Sequence, residues 1–214
     1  LCQRYHVVVA NPPYMNKFNA PLKTFIENNF KNYKSDLFAV FIVRSLSLSL
    51  SNGYLGFMSP FVWMFISSYE NLRAKLIDEA TIITLVQLEY SGFDGATVPI
   101  CTFALQSRKH ADYRGGYVRL SDFRGSENQG PKTVEAAANR DCGWFFRTSA
   151  DDFKKIPGSP IAFWISDTLR AAFLLPMKVG DIARPNQAPV TGNTERSVRR
   201  WSEVSLGNTG LRIQ

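Results

Sequence analysis

Short apolar runs rich in β-branched residues alternate with segments of helical apolar spacing along the first half of this chain. The runs predict strands at 6–10, 54–59, 81–89 and 98–106. The helical spacing predicts helices within 22–30, 37–46 and 67–77. This order indicates an α/β fold with a parallel sheet and helical cover, in which a short loop lets the last two strands pair antiparallel.

The first predicted strand stops at a group of unusual composition, Asn11-Pro12-Pro13-Tyr14. The run 6–10 before it is continuously apolar, which is typical of a strand covered on both faces. Two prolines cannot donate to a strand ladder and have a fixed φ, so the strand must end there. Their carbonyls stay available as acceptors at the carboxyl edge of the sheet, where open α/β sheets bind ligands.

Beyond Gln106 the alternation gives way to glycines, charged residues and isolated aromatic side chains. We therefore predict a domain boundary near residue 107. Residues 1–106 form the sheet domain in this interpretation. Residues 107–214 form an appended, partly irregular or β-rich segment that begins a second domain.

The positive charge is concentrated in the second half of the chain. Residues 1–106 carry 8 lysines and arginines against 7 acidic residues, whereas residues 107–214 carry 17 against 11, so that +6 of the net charge of +7 lies there. A basic segment suggests a polyanionic partner. An ordinary solvated surface is the alternative explanation.

The chain has three widely spaced cysteines, Cys2, Cys101 and Cys142, which suggest neither a disulfide framework nor a zinc site. A reducing, cytoplasmic setting fits this pattern best. The longest apolar tract, 37–50, contains Arg44 and is too short to span a bilayer. We therefore expect no metal site and no membrane span.

The strand end suggests a specific chemistry. The Asn11 side-chain oxygen and the Pro12 carbonyl would give two fixed, uncharged acceptors, which fit the two N–H groups of a planar exocyclic amine. Binding both protons turns the nitrogen lone pair toward an electrophile and stabilises the charge that grows on nitrogen. Tyr14 would offer a stacking face. These are the requirements for methylating an amino group on a flipped-out base.

The motif NPPY, the element order after it and the stretch SGFDGATVPICTFAL resemble the DNA adenine-N6 methyltransferases of the restriction-modification and BREX phage-defence type. The later stretch TGNTERSVRRWSEVS resembles a segment that follows the catalytic domain in large single-chain members. The resemblance implies the second half of a Rossmann-like, S-adenosylmethionine-dependent methyltransferase sheet. The start of a DNA target-recognition region would follow it.

The same resemblance implies roles for individual residues. Asn11, Pro12, Pro13 and Tyr14 would hold and stack the target base. Phe93, in the loop before the last predicted strand, would be a second stacking ring, although an apolar plug in a glycine-rich loop explains it equally well. Double-stranded DNA would be the partner.

The arginine cluster Arg196, Arg199 and Arg200 is the candidate for contact with DNA phosphates. Its alternative is a solvated surface.

The cofactor site is the main departure from the family pattern. The family binds S-adenosylmethionine mainly through a glycine-rich turn and an acidic residue, both well upstream of NPPY, and only ten residues precede Asn11 here. We therefore expect a fragment or one part of a split protein, which lacks most of the cofactor site. An upstream half of the domain, or other restriction or defence subunits, would complete it.

Two alternatives to DNA methylation remain at this point. NPPY-type enzymes also methylate glutamine side chains of proteins and exocyclic amines of RNA. The chain could instead be a non-catalytic DNA-binding or interaction module that keeps the half-sheet as a scaffold.

Overall fold

Six strands form one mixed sheet in the computed structural model, which describes residues 3–90, 92, 98–177 and 179–183. The strands are β1 (Tyr5–Ala10), β2 (Ser49–Pro60), β3 (Thr81–Gln87), β4 (Ile100–Gln106), β5 (Arg114–Arg119) and β6 (Phe145–Ser149). Their order across the sheet is β1-β2-β4-β3-β5-β6. β1, β2, β3 and β5 point the same way, and β4 and β6 run against them. The carboxyl ends of the four co-directional strands therefore meet at one edge of the sheet, the carboxyl edge.

Helices lie between β1 and β2, between β2 and β3, between β5 and β6, and after β6. Five of them lie within residues 1–175, the first of two compact units: α1 (Ala20–Asn29), α2 (Leu37–Leu48), α3 (Glu70–Glu79), α4 (Ser126–Ala138) and α5 (Asp167–Ala172). Short 3-10 turns occupy Lys31–Tyr33, Phe61–Met64, Ser67–Tyr69 and Ala150–Lys155. In the second unit, residues 176–214, the described part includes the short helix α6 (Val179–Ile182).

The predicted α/β fold, with its strands separated by helices, is confirmed. The antiparallel pairing of the last two predicted strands is also confirmed, because β3 and β4 pair antiparallel from Thr81↔Gln106 to Gln87↔Cys101. The prediction that the first strand is covered on both faces is wrong. Val7 is 59% and Val9 76% exposed. The reason is that, among the described residues, no element packs on the face of β1 that carries Val7 and Val9.

The sheet continues past the predicted boundary at residue 107. β5 pairs in parallel with β3, and β6 pairs antiparallel with β5. Residues beyond 107 thus contribute two strands to the same sheet, together with α4. The division into domains 1–106 and 107–214 stays a prediction.

The main apolar core lies on the face of the sheet that α2 and α3 cover. It is built from side chains of both helices, the central strands and the segment before α5, among them Phe38, Ile42, Phe57, Leu72, Leu76, Phe103, Tyr117, Phe153 and Phe163. A smaller cluster on the other face packs α4 against β5 through Ala136, Val118 and Leu120. The opposite face near β1 has no such cover among the described residues, where Val9 remains exposed.

Two expectations from composition can be compared with the described residues. Cys101 and Cys142 are free thiols there. None of the described helices combines the length and the apolar character that crossing a bilayer requires.

The buried guanidinium of Arg73 joins the chain after β2 to the segment before α5. Its Nη1 donates to the carbonyls of Trp63 and Ile66 at 2.8 and 2.7 Å, and its Nε and Nη2 donate to the Gly158 carbonyl at 2.9 and 2.7 Å. Burial lowers the pKa of Arg73, and the nearby Glu70 opposes that effect. Arg73 therefore supplies donors to three carbonyls from two distant parts of the chain.

We expect Arg73→Lys to lower the free energy of unfolding by roughly 2–4 kcal/mol, because an ammonium cannot reproduce the planar fork and leaves buried carbonyls without donors. Urea denaturation followed by circular dichroism measures this. Arg44→Lys, on the exposed side of α2, is the matched control and should stay within about 0.5 kcal/mol. Equal effects of both variants would contradict the assigned role of Arg73.

Candidate active site at the carboxyl edge

The segment Asn11-Pro12-Pro13-Tyr14 follows directly after β1 at the carboxyl edge of the sheet. The β1 ladder with β2 ends at the pair Ala10↔Phe57, immediately before the segment. Pro12 is buried, whereas Asn11 and Pro13 are exposed and Tyr14 is half-buried. The buried proline anchors the bend, and the Asn11 amide remains accessible at its rim.

Asn11 and Tyr14 are joined directly. The Tyr14 hydroxyl donates to Asn11 Oδ1 at 3.1 Å. Burial, and secondarily the nearby Cys101, raises the pKa of the Tyr14 hydroxyl, so the phenol stays protonated and a donor at neutral pH. An amide oxygen has two lone pairs. Asn11 Oδ1 can therefore accept a second hydrogen bond from a ligand while Tyr14 holds the amide in place.

The Tyr14 ring is oriented by the first turn of α2. It meets Phe38 edge-on, with ring centroids 6.4 Å apart and an interplanar angle of 88°. Phe38 is buried and contacts Tyr69 with a centroid distance of 5.4 Å. One edge of the Tyr14 ring is thus fixed against the core.

The residue after the motif is tied to the same helix. The Asp36 carboxylate oxygen Oδ1 accepts the Met15 N–H at 2.9 Å and, as the N-cap of α2, the Phe38 N–H at 3.3 Å. The Leu37 N–H donates back to the Met15 carbonyl at 2.9 Å. Two hydrogen bonds therefore hold the end of the bend against the start of α2, and the third caps the helix.

Sequence reasoning did not identify Asp36 as part of the site. An aspartate just before a run of helical apolar spacing does predict an N-cap. That signal reports on the helix alone, however, and the bond to Met15 spans 21 positions of the chain.

The structure brings Asn11, Pro12, Pro13 and Tyr14 together at one end of β1. Phe93 lies outside the described residues, and so does the cluster Arg196, Arg199 and Arg200. Their proposed roles stay predictions. Among the described residues, no group of three or more histidine, cysteine or acidic side chains is placed to bind a metal ion.

The arrangement offers neutral hydrogen-bond acceptors and an aromatic ring at an accessible position. The core cysteine next to it is not a candidate nucleophile, because burial raises the pKa of the Cys101 thiol to about 12. These groups suit binding and orienting a planar amine better than attacking a substrate.

The described residues do not fit a complete site for a nucleotide-type cofactor. No Gly-x-Gly turn joins a strand to a helix among them: Gly115 and Gly116 lie within β5, and Gly53 and Gly56 lie within β2. A cofactor of this kind needs such a turn so that its polar groups can approach the backbone closely.

Comparison with known proteins shows what the chain is similar to. Residues 2–93 match the model of the Eco57I restriction-modification methylase family. The chain is 37% identical over 213 residues to the adenine-specific methyltransferase BrxX of Escherichia coli O9:H4 (strain HS). The aligned region covers 97% of this chain and 17% of BrxX. It is 33% identical over 212 residues to the adenine-specific methyltransferase PglX of Lacticaseibacillus casei (strain Zhang). Here the aligned region covers 96% of this chain and 18% of PglX. The chain spans less than a fifth of the length of these relatives.

A solved structure supports the fold. The methyltransferase subunit of the type I restriction-modification system from Streptococcus thermophilus superposes with a TM-score of 0.58 at 16% sequence identity, over 76% of this chain and 38% of that chain. The predicted Rossmann-like fold is confirmed by this likeness. The shared coverage extends well beyond residue 107.

We expect Asp36→Ala to lower the free energy of unfolding by roughly 1–2 kcal/mol, because it removes the N-cap of α2 and the acceptor of the Met15 N–H. Asp36→Asn should retain most of the stability, since an amide oxygen accepts the same two bonds. Urea denaturation measures both variants. Asp122→Ala, at an exposed carboxylate, is the control and should change stability by less than about 0.5 kcal/mol. An Asp36→Ala variant as stable as that control would show that the hydrogen bonds of Asp36 do not hold the bend.

Proposed function

We propose that the chain, whose residues 2–93 match the model of the Eco57I restriction-modification methylase family, is the part of a larger DNA adenine-N6 methyltransferase that binds the target base. The observation that carries the proposal is the accessible Asn11 amide oxygen, held by the Tyr14 hydroxyl at 3.1 Å at the end of β1. The adenine-specific relatives support the choice of substrate.

The residues of the chain would act on the exocyclic amine of a flipped-out adenine. Asn11 Oδ1 and the Pro12 carbonyl accept its two N–H groups, which turns the nitrogen lone pair out of the plane of the base. The same two acceptors stabilise the positive charge that grows on the nitrogen. Tyr14 stacks on the base and keeps the Asn11 amide in one orientation. The methylated nitrogen then loses one proton, which passes to solvent because the two neutral acceptors are too weakly basic to keep it.

S-adenosylmethionine is the methyl donor in this proposal. Since the described residues do not fit a complete cofactor site, its binding groups would lie mainly in sequence outside them. The position of β1 supports this arrangement, because among the described residues it pairs with β2 alone and its other edge could pair with a further strand. The relatives, each more than five times as long, have ample sequence for it.

Double-stranded DNA is the proposed partner, and further restriction or defence subunits are possible partners of the complete protein. In this proposal Arg196, Arg199 and Arg200 contact DNA phosphates, and Phe93 closes the base from its second face. The basic balance of residues 107–214 supports the first role.

Methylation of a protein glutamine or of an RNA amine would use the same acceptors, so the Asn11 geometry does not separate these substrates. The adenine-specific relatives favour adenine. A non-catalytic module is disfavoured by the Tyr14 to Asn11 hydrogen bond, because a scaffold alone has no need of an accessible amide held in one orientation.

In the complete protein that carries this chain, we expect Asn11→Ala to slow methyl transfer to DNA by roughly 100-fold or more, because it removes an acceptor that acts on the developing charge. The affinity for DNA should change only a few-fold, since most of it comes from phosphate contacts. Transfer of a labelled methyl group and fluorescence anisotropy measure the two quantities.

Asn52→Ala is the matched control for Asn11→Ala. Asn52 is an exposed asparagine near the start of β2, at the opposite edge of the sheet, and its loss should leave methyl transfer unchanged. If Asn11→Ala also keeps its rate, the assignment of Asn11 to the reaction is wrong.

A further inference from the structure

A row of polar side chains crosses the sheet next to its carboxyl edge. Ser59 of β2 lies opposite Cys101 of β4, Cys101 lies opposite Gln87 of β3, and Gln87 lies opposite Arg119 of β5. Residues directly opposite each other in a sheet place their side chains on the same face. The row therefore runs from the strand next to β1 toward the far side of the sheet.

The inner part of this row is satisfied within the protein. The Trp63 Nε1 donates to Ser59 Oγ at 3.2 Å, and Ser59 Oγ lies 3.8 Å from the Cys101 sulfur. Both Ser59 and Cys101 are completely buried. This end of the row belongs to the core.

The outer part of the row is not satisfied. Gln87 is 5% exposed, yet its Oε1 has no hydrogen-bond partner among the described residues. The buried Arg119 Nε and the buried Ser121 Oγ also lack partners there. Unpaired buried polar groups are costly, and native structures contain few of them. Gln87 and Arg119 lie opposite each other at the edge where ligands bind in such sheets, and Ser121 follows Arg119 by two positions, so these unpaired groups indicate a missing ligand.

An aromatic ring orients the guanidinium of Arg119. Its guanidinium lies over the Trp164 ring at 4.5 Å, and Trp164 packs against Phe163 and Phe65 with centroid distances of 5.1 and 5.6 Å. Arg119 is half-buried and forms no ion pair or hydrogen bond with a carboxylate among the described residues. The stacking fixes the plane of the guanidinium and leaves its charge uncompensated.

We propose that Arg119, together with the Ser121 hydroxyl, binds a backbone phosphate of the DNA substrate; this inference rests on the proposed function. A planar guanidinium with a fixed orientation binds phosphate oxygens in pairs, and a hydroxyl adds a further donor. No described residue gives the guanidinium an opposite charge, so an anion is the ligand that completes it.

The distance between the base-binding segment after β1 and Arg119 at the end of β5 suits a contact with the same DNA duplex. β1 and β5 are four strand positions apart, which corresponds to about 19 Å across the sheet. One DNA strand presents a phosphate about every 3.4 Å along the duplex axis, so the phosphate at Arg119 would lie roughly six nucleotides from the target adenine. Arg119 would thus set the register of the duplex beside the flipped base.

The test is the salt dependence of DNA binding by the complete protein, with a 30-bp adenine-containing duplex as the probe. We expect Arg119→Gln to reduce the slope of log affinity against log salt concentration by about 0.9, the value for one phosphate contact. Arg108→Gln is the control, because Arg108 follows β4 at the opposite edge of the sheet. Its slope should equal that of the wild type. A slope for Arg119→Gln equal to that of the wild type would overturn the proposal, even if the affinity falls.

Arg119→Lys keeps the charge and gives a second, milder test if Arg119→Gln does not fold. We expect it to keep the wild-type slope and to bind the duplex about 3- to 10-fold more weakly, because it lacks the stacked fork. Wild-type affinity of this variant would contradict the role of the fixed guanidinium.

The outcomes separate this inference from the proposed function. A wild-type protein that binds DNA but transfers no methyl group contradicts the function, whereas the slope of Arg119→Gln still decides the phosphate contact. A wild-type protein that does not bind DNA overturns both.

Discussion

The hydrogen bond from the Met15 N–H to the Asp36 carboxylate is the contact on which the geometry of the site depends. Beside that bond, the bend is restrained by the buried Pro12, by the Leu37 N–H bond to the Met15 carbonyl and by one edge of the Tyr14 ring. A segment with so few contacts would otherwise sample many conformations, at a cost of roughly 1–2 kcal/mol for each residue that a ligand has to order. Asp36 removes much of that cost before any ligand arrives. It does so from a position that also starts α2, so the helix and the bend are held by one side chain.

The direction of the strands then determines what can be assembled around the bend. Because β1, β2, β3 and β5 point the same way, Asn11 and Arg119 lie at the same edge although more than a hundred positions separate them. Arg73 stabilises this edge, since its hydrogen bonds join the chain after β2 to the segment that carries Trp164. The ring under Arg119 and the acceptor for the base are thus supported by the same core.

Local patterns predicted much of this architecture. The β-branched runs identified the first four strands, and the short loop after β3 indicated the antiparallel pair with β4. The NPPY motif indicated the strand end, and it suggested the chemistry that we propose. The prediction that both faces of β1 are covered was wrong, as the exposed Val7 and Val9 show. An apolar run indicates that a segment favours a strand, but it does not tell whether another element covers that strand.

Contacts between distant parts of the chain were beyond sequence reasoning. The bond from Met15 to Asp36, the stacking of Arg119 on Trp164 and the pairing of β5 with β3 each join segments whose local patterns are unremarkable. None of them is encoded by a period or a spacing. They become visible only when the sheet order is known, and they include the two side chains that we add to the site, Asp36 and Arg119.

The central claim is that this chain binds an adenine of DNA for methylation of its exocyclic amine. The most direct test incubates the complete protein with labelled S-adenosylmethionine and adenine-containing duplex DNA, then digests the DNA and identifies the labelled nucleoside by mass spectrometry. The account predicts N6-methyladenine as the labelled nucleoside. Label on cytosine would contradict it, as would label on RNA or on a protein glutamine when these are offered in place of DNA.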